Sequence, residues 1–362
     1  MRETPKMKFM SKTKSRLKLM SQNSNVLPDR LPRAVGLLGG GVIGSGWAAR
    51  FLLNGVDVRL YGPSPRAVER VQKMLANARR AFRKLTQVPL PPEGSLKLVD
   101  SVAKAVRDVE IVQENAPERL ELKQQLLATA CRAAAPETLI CSSTSMLQPS
   151  RLQAQMPRPE RLLVAHPFHP VYLVPLVELC AGERTAPEML PRAAEIFRAV
   201  GMHPLVVRKE VYGFLANRLQ TAVWREALWL IHDDLATVQE IDDAVRYSFG
   251  LRRPVLGPMR TYFVGSGETD TRTYVMKRRG SGSTEYSKFE AGPEYTDSFL
   301  NTLAEQADAQ ASAENMTIAQ YQEILDDGLV GVLQGLRSQG SGAGATIARW
   351  EQSLRKRVPP TR

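Results

Sequence analysis

The hydrophobic positions along the chain change period several times, and each change predicts an element. Ala34-Val35-Gly36-Leu37-Leu38 is a short continuous apolar run that ends in a glycine cluster, the pattern of a strand covered on both faces. Val42 to Asn54 follows with Ile43, Trp47 and Phe51 at helical spacing and Leu52 beside them. Val56 to Tyr61 alternates as a second strand. Pro65 to Lys84 is a long amphipathic helix that opens on proline, a favourable first-turn residue. Glu110-Ile111-Val112-Gln113 and Thr138-Leu139-Ile140-Cys141 predict further strands, with a helix from about Glu118 to Ala134 between them. Such strand–helix alternation predicts a parallel sheet with crossover helices. A later apolar strand, Leu162-Leu163-Val164, runs into Ala165-His166-Pro167-Phe168-His169-Pro170, and Leu176-Val177-Glu178-Leu179 forms another.

Beyond about residue 210 the helical period dominates. Residues 213–249 form two helical segments broken near Asp233-Asp234, and the period returns over about 297–337. Between them, residues 264–297 are rich in Gly, Ser and Thr and contain Lys277-Arg278-Arg279, the composition of a long loop. The Gly/Ser stretch 338–344 reads as a flexible exit, and residues 1–30 carry no core pattern. The expected organisation is a disordered basic tail at 1–32, an α/β domain over 33–211, a helical domain over 212–337 and a flexible basic tail at 338–362. No internal repeat is evident.

Composition narrows the classes. The 362 residues suit two domains. With 43% hydrophobic and 24% charged residues the chain is an ordinary globular protein, neither disordered throughout nor fibrous. No run of ~18 apolar residues is present, which excludes a spanning helix. Three cysteines give no disulfide framework and favour a reducing compartment. The net charge of +12 sits in the ends: residues 1–30 carry +6 and residues 340–362 carry +4, leaving +2 for the body. A nearly neutral body argues against nucleic acid as the partner. The basic, acid-poor start reads either as a solvated tail on a cytoplasmic protein or as a mitochondrial-type targeting segment. Its Lys rather than Arg content favours the tail.

Gly39-Gly40-Gly41-Val42-Ile43-Gly44 fits G-x-G-x-x-G, after a strand and at the start of a helix, the context that gives this motif meaning. Gly39 permits the tight turn, Gly41 lets the backbone approach a pyrophosphate, and Gly44 lets helix and strand pack closely. The first N–H groups of the helix, around Val42 and Ile43, face the phosphate. The expected fold is therefore a Rossmann-type dinucleotide-binding domain followed by an all-α C-terminal domain. An acid is usual at the end of the second strand, where it accepts hydrogen bonds from the ribose 2′-hydroxyl. Gly62 stands there instead, and Ser64 and Arg66 follow it. Two readings stay open: Gly62 only relaxes the ribose contact with NAD, or the edge accepts the 2′-phosphate of NADP.

Four histidines are available. His203 precedes Pro204 and reads as structural, and His232 beside Asp233 and Asp234 reads as a solvated or capping residue. His166 and His169 end an apolar strand, at the carboxyl edge where α/β proteins bind ligands. Glu178 is a lone acid in an apolar strand; buried, it needs a partner, and His166 would pair with it and gain basicity. The alternative is a surface-facing Glu on an edge strand. Ser142-Ser143-Thr144-Ser145 offers hydroxyl donors or a helix cap. Asn217 offers an amide to the site or a cap. His166 and His169 lie in a proline-locked turn without cysteine or acid partners, so no metal is expected.

These motifs, in this order, resemble the 3-hydroxyacyl-CoA dehydrogenase superfamily over about residues 33–337. Gly39-x-Gly41-x-x-Gly44, Ser142-Ser143-Thr144-Ser145, His166-Pro167-Phe168 with Glu178, and Gly213-Phe214-x-x-Asn217-Arg218 carry the resemblance. Gln113 to Arg119, Pro170 to Glu178, Gly182 to Glu188, Trp224 to Leu228 and Ile241 to Ala244 are similar to its L-carnitine dehydrogenase branch. The resemblance implies oxidation of a 3-hydroxy acid, L-carnitine to 3-dehydrocarnitine, with NAD and with NADP admitted by Gly62. A 3-hydroxyacyl-CoA, a gulonate-type sugar acid, or dinucleotide binding without turnover are the alternatives. Arg252-Arg253 and Lys277-Arg278-Arg279 keep a CoA thioester open. It also implies His166 as general base, Glu178 orienting it, Ser145 and Asn217 on the substrate oxygen, Glu114 near the nicotinamide, and a homodimer built by the helical domain. The family turn reads His-x-Phe-Asn-Pro, and here His169 stands in place of that Asn. A trimethylammonium group is best held by aromatic faces. Phe168 is the first choice, with Tyr172, Trp224, Tyr247, Phe249, Tyr262 and Phe263 also available.

Overall fold

The computed structural model describes residues 31–64, 66–264, 266, 294, 296–302, 305–306 and 318–357. Tail 1–30, nearly all of the loop over 264–297, and the side chains of Tyr262 and Phe263 lie outside the described residues.

The apolar runs of the first half become strands of one sheet. In chain order these are β1 (Ala34–Leu38), β2 (Asp57–Tyr61), β3 (Leu96–Val99), β4 (Ile111–Glu114), β5 (Leu139–Ser142), β6 (Leu162–Pro167), β7 (Leu176–Ala181) and β8 (His203–Val207). Their spatial order is β3-β2-β1-β4-β5-β6-β7-β8. All neighbours run parallel except β6 and β7, where the short connection through Pro170 forces an antiparallel pair. Strand order reverses between β1 and β4, which opens a crevice at their carboxyl ends. The helices are α1 (Val42–Leu53), α2 (Ala67–Leu85), α3 (Val102–Val106), α4 (Leu120–Ala133), α5 (Pro149–Leu152), α6 (Met189–Ala199), α7 (Ala216–His232), α8 (Val238–Ala244), α9 (Gly250–Val264), α10 (Ile318–Ser338) and α11 (Gly342–Arg357). β3 was not evident in the sequence, because its four residues alternate weakly and stay half-exposed or exposed at the sheet edge.

Two apolar layers sandwich the sheet. Trp47 and Phe51 of α1, Phe82 of α2 and Phe197 of α6 fill one side. Val106, Leu127 and Cys131 fill the other. α7 begins the helical part and turns at Asp234 (φ 55°) into α8, whose start is locked by a reciprocal Thr237–Glu240 capping box.

The expected flexible tail at 338–362 is corrected over 342–357 by α11, and residues 358–362 lie outside the described residues. Ile347, Trp350 and Leu354 of this helix are buried in the layer beneath α1 and α2. Trp350 meets Phe82 edge-on at 5.3 Å and donates its indole N–H to Asn54 Oδ1 at 2.7 Å. The glycines that suggested a linker serve close packing instead. Gly340 (φ 61°) and Gly342 (φ 49°) reverse the chain, and a Cβ on Gly344 would lie 2.0 Å from the Leu336 carbonyl carbon.

Candidate active site

The glycine turn has the geometry of a dinucleotide cradle. Gly39 takes φ 109°, and its N–H donates to the Tyr61 carbonyl at 2.7 Å. A Cβ on Gly44 would stand 2.0 Å from the Gly39 carbonyl oxygen, so α1 can approach the turn this closely only through glycine. Gly41 differs: a Cβ there would meet no protein atom within 4 Å. That open side faces away from packed protein at an α1 N-terminus that has no side-chain cap. Its leading N–H groups, with Val42 exposed and Ile43 half-buried, are available to a phosphate. Gly39, Gly40, Gly41, Val42, Ile43 and Gly44 thus fit the dinucleotide pyrophosphate. Gly62 follows β2, and Ala67 at the start of α2 packs against it. Ser64 is half-buried in the intervening turn, its carbonyl accepting from Ala67 N–H.

At the far side of the crevice, β6 and β7 pair His166 directly opposite Glu178. The imidazole is 6% exposed and the carboxylate 0%. His166 Nδ1 and Glu178 Oε2 are 2.9 Å apart. An ionised carboxylate can only accept, so Nδ1 carries the hydrogen, and it is in the neutral form of the ring that Nε2 keeps its lone pair. The other carboxylate oxygen, Oε1, accepts the backbone N–H groups of Leu215 and Ala216 at 2.9 and 2.8 Å. Burial pushes the Glu178 carboxyl up, but the hydrogen bonds from His166, Ala216 and Leu215 outweigh it and hold it below the usual value. Gly213 (φ 75°) and Phe214 (φ 48°) turn the chain so that those two N–H groups point at Glu178. Phe168 and Phe214 flank the imidazole, with ring centroids 4.6 and 5.6 Å away. The surface-facing alternative for Glu178 is thereby removed.

The serine segment divides its labour. Ser142 Oγ donates to Glu114, Ser143 Oγ donates to Asn115 Oδ1 and accepts from Trp47 and Gln113, and Thr144 Oγ1 donates to Glu118. Glu118 also accepts the N–H groups of Ser145 and Met146, both at 3.2 Å. Among the described residues the Ser145 hydroxyl alone of the four makes no hydrogen bond. Asn217 Nδ2 donates to the Ser145 carbonyl at 3.3 Å, so the two are neighbours.

Glu114 lies at the carboxyl end of β4, beside β1, but is fully buried. Its oxygens are taken by Lys123 Nζ (2.9 Å), Ser142 Oγ and the Ala116 N–H (both 2.5 Å). It braces the Asn115–Ala116 turn rather than presenting an open carboxylate. Tyr172 is likewise no aromatic face for a ligand: it is buried, with its hydroxyl on Asp326 of α10. Arg246 lies over one face of the otherwise exposed Tyr247 and Arg253 over one face of Phe249, so each ring already holds a guanidinium. Phe168 and the exposed Trp224 remain. His232 is exposed and pairs with Asp233 at 2.9 Å. The sequence reading gave no role to the Leu215 and Ala216 N–H groups, nor to Phe214 and Glu118, although both of the latter lie in the quoted motifs. Only Glu118, an acid preceding a helix, left a signal that could have been followed.

A glycine turn at the switch point of a mostly parallel sheet, with a buried histidine–carboxylate pair on two neighbouring strands of that sheet, fits a class: dinucleotide-binding proteins with an α/β domain followed by helices. The chain belongs to the 3-hydroxyacyl-CoA dehydrogenase family, whose NAD-binding domain matches residues 34–211 and whose C-terminal domain matches residues 213–313. It is 42% identical over 324 residues to the L-carnitine dehydrogenase of Mesorhizobium japonicum, covering 88% of each chain. It is 43% identical to the L-carnitine dehydrogenase/betainyl-CoA thioesterase of Ruegeria pomeroyi, covering 90% of this chain and 66% of that longer one. Among solved structures, a 5-formyl-3-hydroxy-2-methylpyridine 4-carboxylic acid 5-dehydrogenase, an NAD+-dependent dismutase, superposes with a TM-score of 0.68 at 26% identity. That match covers 83% of this chain and 99% of the other.

Proposed function

We propose that this chain oxidises the 3-hydroxyl of L-carnitine to give 3-dehydrocarnitine, with a nicotinamide dinucleotide in the glycine crevice. The observation that carries the chemistry is the buried His166–Glu178 pair, anchored by the Leu215 and Ala216 N–H groups. The substrate is supported by the relatives' names and by the aromatic face of Phe168 beside the imidazole.

His166 Nε2 takes the hydroxyl proton, and Glu178 offsets the positive charge that then develops on the ring. Ser145 Oγ and Asn217 Nδ2 hold the substrate oxygen within reach of that nitrogen. When bound, the dinucleotide supplies the hydride acceptor. Gly39 to Gly44 bind its pyrophosphate, and Glu114 fixes the Asn115–Ala116 turn at the edge of its site. Phe168 receives the trimethylammonium group at ~0.5–2 kcal/mol, with Trp224 as the second face.

The cofactor is a nicotinamide dinucleotide, and the end of β2, where Gly62 stands in place of a ribose-binding acid, decides between NAD and NADP. Exposed Leu219, Val223, Tyr247, Leu251 and Met259 on the helical part support a homodimer built through that surface. No helix among the described residues is long and apolar enough to cross a membrane, and a cytoplasmic location fits the three free buried cysteines.

The test is absorbance at 340 nm with purified protein and L-carnitine, with NAD and NADP in parallel at alkaline pH. Alcohol oxidation releases a proton, so alkaline conditions favour it. Reduction that disappears in His166→Ala is the expected outcome. Absence of reduction with either cofactor, from protein that binds one, overturns the carnitine reading and turns the search to 3-hydroxyacyl-CoA and sugar-acid substrates.

A further inference from the structure

The end of β2 is where a dinucleotide's adenosine ribose meets the protein. Here it carries no carboxylate. Gly62 occupies the position, and a Cβ there would lie 2.9 Å from the Ala67 Cβ, so a side chain cannot be added without moving α2. Ala67 also stands against Gly40, at 2.8 Å from where its Cβ would be. The start of α2 is therefore packed directly onto the glycine turn.

That start is basic. Arg66 is the N-terminal cap residue of α2 and is exposed. Arg70 follows one turn later, on the same face. Its Nε donates to the Gly40 carbonyl at 3.1 Å, which fixes its guanidinium at the rim of the crevice. Neither arginine forms an ion pair among the described residues. The α2 N-terminus has no side-chain cap, and Ser64 lies half-buried just before it. The opposing charges are Glu69, exposed in the first turn of α2, and Asp100 beyond β3, the strand paired with β2. Asp100 is engaged by Lys104 at 2.7 Å. With the Lys104–Asp100 pair set aside, two arginines face one carboxylate, Glu69, at this edge.

We infer that Gly62, Ser64, Arg66 and Arg70 form a 2′-phosphate subsite, and that the chain prefers the 2′-phosphorylated nicotinamide dinucleotide. A ribose 2′-hydroxyl donates and needs an acceptor, which this edge lacks at Gly62. A phosphate monoester offers only acceptors with nearly two negative charges, which guanidinium forks and a hydroxyl satisfy. The inference rests on the dinucleotide reading of the glycine turn and is independent of carnitine as substrate.

The test is calorimetric titration of the full chain with NADP+ and with NAD+, without any alcohol. The variants are Arg66→Gln, Arg70→Gln and Asp100→Asn, each checked by thermal melting for an intact fold. The expected result is NADP+ bound at least about tenfold tighter than NAD+, because charge-assisted contacts replace an unpartnered hydroxyl. Each arginine variant lowers that ratio by about tenfold, and added salt weakens NADP+ more than NAD+. NAD+ binding as tightly as NADP+, a ratio unmoved in both arginine variants, or NAD+ preference lost in Asp100→Asn overturns the subsite. Failure to bind either dinucleotide overturns both this inference and the dinucleotide reading. Failure with L-carnitine alone leaves the ratio, and the subsite, intact.

Discussion

Glu178 shows how a single charge is made tolerable in an apolar sheet. An unpartnered buried carboxylate would neutralise itself. This one has His166 on one oxygen and two backbone N–H groups on the other. Its pKa is depressed, below an unfolded value of about 4.3. It therefore favours the folded state at every pH above that value, and the contribution fades as pH falls through the depressed pKa. Glu178→Gln should lower the denaturant midpoint at pH 7, with the gap from wild type closing on acidification. A gap that stays constant down to pH 3 would contradict the assignment. The same variant should lower kcat by ~10²–10⁴-fold with KM little changed, since the amide can no longer offset charge on the imidazole. The pairing was legible in sequence because an acid flanked by Val177 and Leu179 demands a partner. The donors from Leu215 and Ala216 were not, because they depend on Phe214 at positive φ, a conformation its side chain does not announce.

The glycine turn separates two reasons for having no side chain, and they predict opposite phenotypes. Gly44 is required by the protein itself: a Cβ would meet the Gly39 carbonyl oxygen at 2.0 Å. Gly44→Ala should therefore lower stability by ~1–3 kcal/mol, read by urea denaturation without ligand. Gly41 has open space where a Cβ would go. Gly41→Ala should leave the denaturant midpoint nearly unchanged and weaken dinucleotide binding by about tenfold or more, since the methyl fills the approach of the pyrophosphate. Equal effects of the two on stability would remove the distinction. At this scale sequence patterning located the element well, because a strand, a glycine turn and a helix each leave their own period. It failed at 338–344, where Gly340, Gly342 and Gly344 read as a linker. Composition cannot tell glycine used for freedom from glycine used for close approach, and only the proximity of α10 to α11 decides it.

The last helix ties the two halves of the molecule together. α10 reaches the α/β part through Asp326, which accepts from the Tyr172 hydroxyl and pairs with Arg80 of α2 at 3.4 Å. α11 reaches it through Trp350, which closes a chain running from its indole N–H to Asn54, and from Asn54 Nδ2 to the Arg50 carbonyl. Arg50 is buried, with its pKa brought down to about 9 by that burial, and donates to the carbonyls of Val171 and Val200. Val171 begins the segment that leaves the His166 turn. The C-terminal helix thus lies on the same packed layer that supports the candidate site. Trp350→Ala should lower stability by ~3–5 kcal/mol, from lost burial and the cavity left against Phe82. Trp350→Phe keeps most of the packing but leaves Asn54 Oδ1 without its donor, at a smaller cost of ~1–3 kcal/mol. Denaturant unfolding followed by far-ultraviolet circular dichroism separates the two, and a chain truncated after residue 340 should lose at least as much as Trp350→Ala. If truncation leaves the midpoint unchanged, α11 is peripheral after all. If it unfolds the α/β part, the helix is part of that domain's core, and a boundary drawn near residue 338 cuts through one folding unit.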